Sequence, residues 1–93
     1  MSEMQRTVTV QDSEGNDHQF TIQKMPPRQY SRLKDRCTNK DGKLVEENLM
    51  TEVIKHMVVD PDLSYDDFTD YRLAEGVVRE AIGFQSGREL PRE

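Results

Sequence analysis

The side chains best suited to covalent or metal chemistry in this 93-residue chain are one cysteine and two histidines. Cys37 and His56 could in principle form the thiolate–imidazole pair of a cysteine nucleophile. Both lie at or beside apolar stripes with helical spacing, however, and no glycine motif next to Cys37 would expose its sulfur. A free cysteine in such a setting is usually a small buried hydrophobic residue. With His18 near a turn, the three residues do not have the spacing of a zinc site, so we predict no catalytic residue and no zinc ligand.

A second candidate is the turn Asn39-Lys40-Asp41-Gly42, which resembles the middle of an EF-hand calcium loop. Aligning its glycine places Cys37 at the first loop position and Asn48 at the twelfth. The first carboxylate and the final bidentate glutamate of such a loop are therefore both missing. The sequence predicts an ordinary Asp-Gly turn, and we expect neither a metal nor another cofactor.

The densest group of charges consists of carboxylates between residues 60 and 70, at Asp60, Asp62, Asp66, Asp67 and Asp70. A general acid–base or metal site would need two of them in one cleft with a third group to orient a substrate. Asp66 and Asp70 have the i, i+4 spacing of one helical face. Helix capping and the positive end of a helix dipole explain the same cluster, so we predict a structural role.

Four neighbouring residues have the pattern of a helix start. Ser64 and Asp67 have the spacing of a capping box, and Leu63 and Phe68 have that of a hydrophobic staple. The sequence therefore predicts that the last helix begins at Ser64, with a bend near residues 69–70, and that Gly83 is its C-cap.

The overall pattern predicts an α+β fold: an N-terminal antiparallel β-hairpin packed on a small bundle of three to four α-helices. We assign the hairpin to residues 5–24, the helical part to residues 27–84 and a frayed polar tail to residues 85–93, all in one domain spanning residues 1–93. The predicted core residues are apolar positions on the strands and helical stripes: Phe20, Ile22, Leu33, Leu49, Val53, Val77, Val78 and Ile82.

Composition narrows the possible partners. The net charge of −5 argues against nonspecific binding to nucleic acid or to an anionic membrane. No long apolar segment is present, and a single cysteine cannot form an intrachain disulfide. We expect a cytosolic protein that binds neither nucleic acid nor membrane.

Five apolar residues at or beyond the edges of the predicted helical stripes are candidates for a partner-binding surface: Met50, Met57, Val58, Val59 and Phe84. Core packing is the default explanation for each one. Together they could instead form an exposed patch for another helix, because methionine is favoured on adaptable contact surfaces. Both interpretations stay open at this point.

The order of elements resembles the tail assembly chaperones of long-tailed bacteriophages and prophages. The resemblance covers residues 8–84 and is carried by the hairpin, by PPRQY at residues 26–30, by VIKHMVVDP at 53–61, by LSYDDF at 63–68 and by the closing amphipathic helix. The resemblance lies in the order and spacing of these elements and includes no catalytic motif.

The resemblance implies a non-enzymatic chaperone in the cytoplasm of the bacterial host, corresponding to the short form of the family. Such a protein binds the tape measure protein and assists tail tube assembly, and the tail tube protein is a second candidate partner. It self-associates and is not expected in the mature virion. The alternative is a small acidic adaptor or regulatory domain of a bacterium or phage that binds one folded partner.

Overall fold

A computed structural model describes residues 4–87 and has an α+β architecture, which confirms the predicted fold class. Its strands are β1 (Gln5–Gln11), β2 (Asp17–Gln23) and β3 (Val58–Asp60). Its helices are α1 (Pro27–Arg36), α2 (Glu46–Met57) and α3 (Tyr71–Ser86), and a 3-10 turn at Tyr65–Asp67 precedes α3.

The hairpin forms in the predicted place because its two strands alternate apolar and polar residues. Val8 lies opposite Phe20 and Val10 lies opposite His18 in an antiparallel register. Val10, Phe20 and Ile22 are buried on one face, whereas the alternate residues of β1 are exposed. The connecting turn contains Gly15 at a φ of 84°, a conformation in which a residue without Cβ is favoured.

A short third strand follows α2 directly and was not predicted from the sequence. β3 pairs antiparallel with β2, giving the sheet order β1-β2-β3. Val58 lies opposite Ile22, so the valine that leaves the helix continues the buried face of the sheet.

The core lies between the sheet and the helices. Six of the eight predicted core residues are buried: Phe20, Ile22, Leu33, Val53, Val77 and Val78. Leu49 and Ile82 are partly buried and pack against this core.

The start of α3 differs from the prediction. Ser64 and Asp67 do form a capping box, in which the Asp67 carboxylate accepts from the Ser64 amide at 2.9 Å, but this box caps the 3-10 turn. The chain then leaves helical geometry at Phe68, which has a ψ of 134°. Its ring stacks on Phe20 with a centroid distance of 6.1 Å, and this packing explains the interruption. The true N-cap of α3 is Asp70, whose carboxylate accepts from the amides of residues 72 and 73.

The end of α3 also lies beyond the predicted position. Gly83 is within the helix, and Gly87, with a φ of 71°, is the C-cap. Gln85 is held in place because its side-chain amide donates to the Met25 carbonyl at 2.9 Å and its side-chain oxygen accepts from the Met25 amide at 2.6 Å. The predicted fraying is therefore wrong for Gln85 and Ser86, and residues 88–93 of the predicted tail lie outside the described residues.

Gly76 lets α3 approach the hairpin. A Cβ at this position would lie 2.5 Å from Cγ1 of the buried Val10, and β-branched valine has little freedom to move away. We expect Gly76→Ala to lower the free energy of unfolding by up to about 2 kcal/mol, because overpacking of about 1–3 kcal/mol outweighs a gain in helix propensity of about 1 kcal/mol.

The Val10→Ala background provides the control for this prediction. Without Cγ1 the clash disappears, so Gly76→Ala should become stabilising by about 1 kcal/mol in that background. Urea melts of the four proteins give this double-mutant cycle. If Gly76→Ala has the same sign in both backgrounds, the close approach to Val10 does not explain the glycine.

Candidate functional site

The structure separates the residues that could have formed a nucleophile. Cys37 is buried, with 1% of its surface exposed, and burial raises the pKa of its thiol. His56 is partly exposed, and its Nε2 lies 3.2 Å from the Glu52 carboxylate, which also accepts from Arg36 at 2.9 Å. A buried thiol with a raised pKa is a poor nucleophile, and these contacts do not assemble a catalytic pair.

In the turn that resembles a calcium loop, the side-chain oxygen of Asn39 accepts hydrogen bonds from the backbone. Oδ1 of Asn39 accepts from the amides of Asp41 and Lys43 at 2.9 and 3.0 Å, and Gly42 has a φ of 81°. This is the self-capping geometry that Asn favours in turns. Within residues 4–87 no cluster of three or more His, Cys, Asp or Glu side chains could hold a metal ion.

Within the group of carboxylates at residues 60–70, Asp67 and Asp70 make different structural contacts. Asp67 belongs to the capping box, whereas Asp70 caps α3 and also accepts from the Ser13 hydroxyl at 2.7 Å. This hydroxyl and the Ser13 amide keep the pKa of Asp70 below its ordinary value. Since residues 68–70 are not helical, Asp66 and Asp70 do not share a helical face, contrary to the prediction.

The predicted partner-binding residues are mostly in the core. Met50, Met57, Val58 and Phe84 are exposed by 2%, 0%, 4% and 6%, and only Val59 is partly exposed. The prediction that these residues form an exposed patch is therefore wrong for four of the five. Val58 is buried where β3 pairs with β2 opposite Ile22, Phe84 is buried in the last turn of α3, and Met50 and Met57 lie on the buried face of α2. The four capping residues have the roles described above, with Leu63 and Phe68 packed against the core and partly buried.

An accessible apolar surface remains in a cleft between α2 and α3, which we call the interhelical groove. It has a volume of about 360 Å³. Its apolar wall comes from Leu49, Met50, Val78 and Ile82, and its other lining residues are Glu46, Glu75, Arg79, Gly83 and Ser86. Leu49 and Ile82 are the two predicted core residues that the fold leaves partly exposed.

One end of the interhelical groove is acidic. The hydroxyl of Tyr71, a side chain that is 52% exposed, donates to the Glu46 carboxylate, and this hydrogen bond raises the pKa of Tyr71 to about 12. Glu75 lies one turn further along α3, with Arg79 at 3.7 Å from its carboxylate. The rim thus has two carboxylates and one guanidinium around an apolar floor.

The sequence contains a signal for this groove, although the predicted partner-binding residues do not follow it. The apolar stripes of α2 and α3 are broader than one contact requires, because Leu49 flanks Met50 and Ile82 follows Val78 by one turn. The sheet and the neighbouring helices cover most of each stripe, and the uncovered edges of the two helices meet in the groove. What such a groove can do is bind an apolar side chain or an amphipathic helix, since no nucleophile or metal ligand set lines it.

No helix among residues 4–87 has the length and apolarity needed to cross a membrane. Comparison of the chain with protein-family models, with curated proteins and with solved structures gives no match.

Proposed function

We propose that this protein is a non-enzymatic phage tail assembly chaperone that binds an apolar helical segment of the tape measure protein in the interhelical groove. The proposal joins the resemblance described above to one structural observation. That observation is a partly open apolar groove between two helices with an acidic end.

The shape and chemistry of the groove favour a helical ligand over a small molecule. Small-molecule pockets combine apolar walls with a few inward polar groups that orient the ligand. Here the floor is apolar, and within residues 4–87 no buried side-chain nitrogen or oxygen lacks a hydrogen-bond partner. An apolar floor contributed by two helices instead suits the i, i+3 and i+4 residues of an amphipathic helix.

The charge of the groove specifies the ligand further. Glu46 and Glu75 stand beside one end of the apolar floor, and a bound helix with Lys or Arg next to its apolar face would place that charge against them. Such pairs at the rim favour fast association and the correct orientation. The net charge of −5 would help to keep a complex with an apolar partner dispersed.

Co-expression with the tape measure protein of the same phage or prophage, followed by pull-down, tests the proposal. Leu49→Glu places a carboxylate in the groove beside Glu46 and Glu75, so binding should weaken about tenfold or more, which corresponds to about 1.4 kcal/mol. Ser86→Trp, at an exposed rim position, should block the groove without changing the core.

Leu44→Glu is the matched control, because Leu44 is an apolar residue that is 49% exposed and does not line the groove. It should bind like the wild type, and circular dichroism checks that every variant is folded. Folded Leu49→Glu and Ser86→Trp proteins with wild-type binding would refute the groove. If the wild-type protein does not bind the tape measure protein and binds one folded protein instead, the adaptor function would be favoured.

A further inference from the structure

The outer edge of β1 has backbone groups available for another strand. Lys24 donates to the carbonyl of Met4 at 2.9 Å, so residues 4 and 24 form a hydrogen-bonded pair of the antiparallel ladder. Such pairs alternate along a ladder, and Arg6, Val8 and Val10 therefore bond to β2. The amides and carbonyls of the four odd-numbered residues point the other way, and within residues 4–87 no strand pairs with that side of β1.

Apart from the charge of Arg6, the described part of this edge lacks the features that usually protect an edge strand. Natural proteins block such edges with proline, lysine, a bulge or a covering element. β1 is seven residues long, with the sequence QRTVTVQ, and contains neither proline nor lysine. Its register with β2 is unbroken from Gln5 to Gln11, and Thr7 and Thr9 are exposed.

The sequence of β1 reads nearly the same in both directions. Gln5 and Gln11, as well as Thr7 and Thr9, are equidistant from Val8, and only Arg6 and Val10 break the symmetry. Two antiparallel copies of a strand related by a two-fold axis place residues that are equidistant from the axis opposite each other. A palindromic edge therefore places identical side chains opposite each other, which here are uncharged threonine and glutamine.

We propose that two copies of this protein pair through β1 in an antiparallel, two-fold symmetric arrangement centred on Val8. Thr7 then faces Thr9 of the second copy, and Gln5 faces Gln11 of the second copy, with each pair exchanging backbone hydrogen bonds. The result is one continuous sheet with the order β3-β2-β1-β1-β2-β3. This contact does not use the five apolar residues predicted to bind a partner, four of which are buried within one chain.

The side chains fit the same register. On the exposed face it brings together Thr–Thr and Gln–Gln pairs, and cross-strand threonines form favourable hydrogen bonds. On the other face Val8, which is half-buried in one chain, meets Val8 of the second copy. Arg6, the one charged residue of β1, faces Val10 of the second copy, so the two Arg6 side chains do not face each other.

The surface next to the edge carries matching charges. A cavity of about 690 Å³ lies between residues 9–11 of β1 and one side of α3. The charged side chains of α3 in its lining are Arg72, Glu75, Arg79 and Glu80, two of each sign. A two-fold axis places these four residues opposite the same four residues of the second copy in reversed order. In that arrangement residues of opposite charge can pair. This balance favours a second copy over a strongly acidic or basic partner.

Analytical ultracentrifugation and amide hydrogen exchange test the proposal. The wild type should reach twice the mass of the 10.9-kDa chain as its concentration rises. In the same range the exchange of the Thr7 and Thr9 amides should slow, whereas the Val8 and Val10 amides, already bonded to β2, serve as internal references. A mass of one chain at every concentration up to about 1 mM would overturn the proposal, because any dimer would then have a dissociation constant above the millimolar range.

Charge variants locate the contact. Thr7→Lys/Thr9→Lys places lysines opposite lysines at exposed positions, so the dimer dissociation constant should rise about tenfold or more while the fold is kept. An equal mixture with Thr7→Glu/Thr9→Glu should restore the dimer as a heterodimer.

Gln29→Lys/Ser31→Lys adds the same charge at exposed positions of α1 and should dimerise like the wild type. A dimer unaffected by the lysine pair in β1, or weakened equally by the pair in α1, would place the contact elsewhere. Because the interhelical groove is tested by tape measure binding and this edge by mass and exchange, failure of one proposal is distinguishable from failure of the other.

Discussion

Val58→Asp is expected to unfold the domain, whereas Val59→Asp, one residue later, is expected to leave it folded. Val58 is 4% exposed and lies opposite Ile22 in the sheet, while Val59 is only partly buried. Burying an unpaired carboxylate costs several kcal/mol, a large part of the roughly 5–15 kcal/mol that stabilises a small domain. Side chains alternate between the two faces of a strand, so the neighbouring position avoids most of this cost.

Circular dichroism and urea melts of the two variants test this prediction. Val58→Thr, which retains the shape of valine and replaces one methyl group with a hydroxyl, supplies a measurable intermediate with an expected loss of about 1–3 kcal/mol in the free energy of unfolding. If Val58→Asp is as stable as Val59→Asp, then Val58 is not a core residue and β3 does not have the described register. The interpretation of Val58 as a surface residue would then regain support.

The contrast between the hairpin and β3 shows what the sequence could predict. Alternation in residues 5–11 and 17–23 is a local pattern, and it leads directly to the observed register. β3 has only three residues and follows α2 without a loop. Its pairing with β2 depends on contacts with a strand more than thirty residues earlier, and no local pattern in Val58–Asp60 reports such a contact.

The start of α3 illustrates a second limit. Ser64 and Asp67 have the spacing of a capping box, and the box exists. What the spacing cannot predict is how many helical residues follow it. The stacking of Phe68 on Phe20 interrupts the helix after one turn, and Asp70 then caps the next helix. Tertiary packing therefore overrides a local signal that was itself correct.

The candidate site was harder to predict because it depends on which apolar residues remain uncovered. Met50 and Leu49 are neighbours on α2, yet the first is buried and the second lines an open groove. Helical periodicity places both on one broad apolar face. Only the positions of the sheet and α3 decide which part of that face is accessible, and these positions are set by long-range contacts.

Phe84 combines burial with a contact to two cations, which makes it suitable for separating core from surface roles. It is 6% exposed, the Arg6 guanidinium carbon lies 4.5 Å from its ring centroid, and Lys24 Nζ lies at 4.9 Å. The ring therefore combines burial with contacts to two positive charges. Its position at the end of a helical stripe had instead indicated a partner-binding patch.

We expect Phe84→Ala to lower the free energy of unfolding by about 3–5 kcal/mol, because it removes a buried aromatic side chain and leaves a cavity. Phe84→Leu keeps most of the apolar contact and loses the ring that attracts the two cations, so its cost should be about 1–2 kcal/mol. Urea melts measure both values, with Tyr71→Ala as the control, since Tyr71 is an aromatic residue of the same helix that is 52% exposed. A Phe84→Ala protein within about 1 kcal/mol of the wild type would contradict the core assignment, because surface substitutions usually change stability by no more than about 0.5 kcal/mol. A large loss with Phe84→Ala and a small one with Phe84→Leu would instead show that Phe84 stabilises the fold mainly through apolar burial, with the cations adding a smaller share.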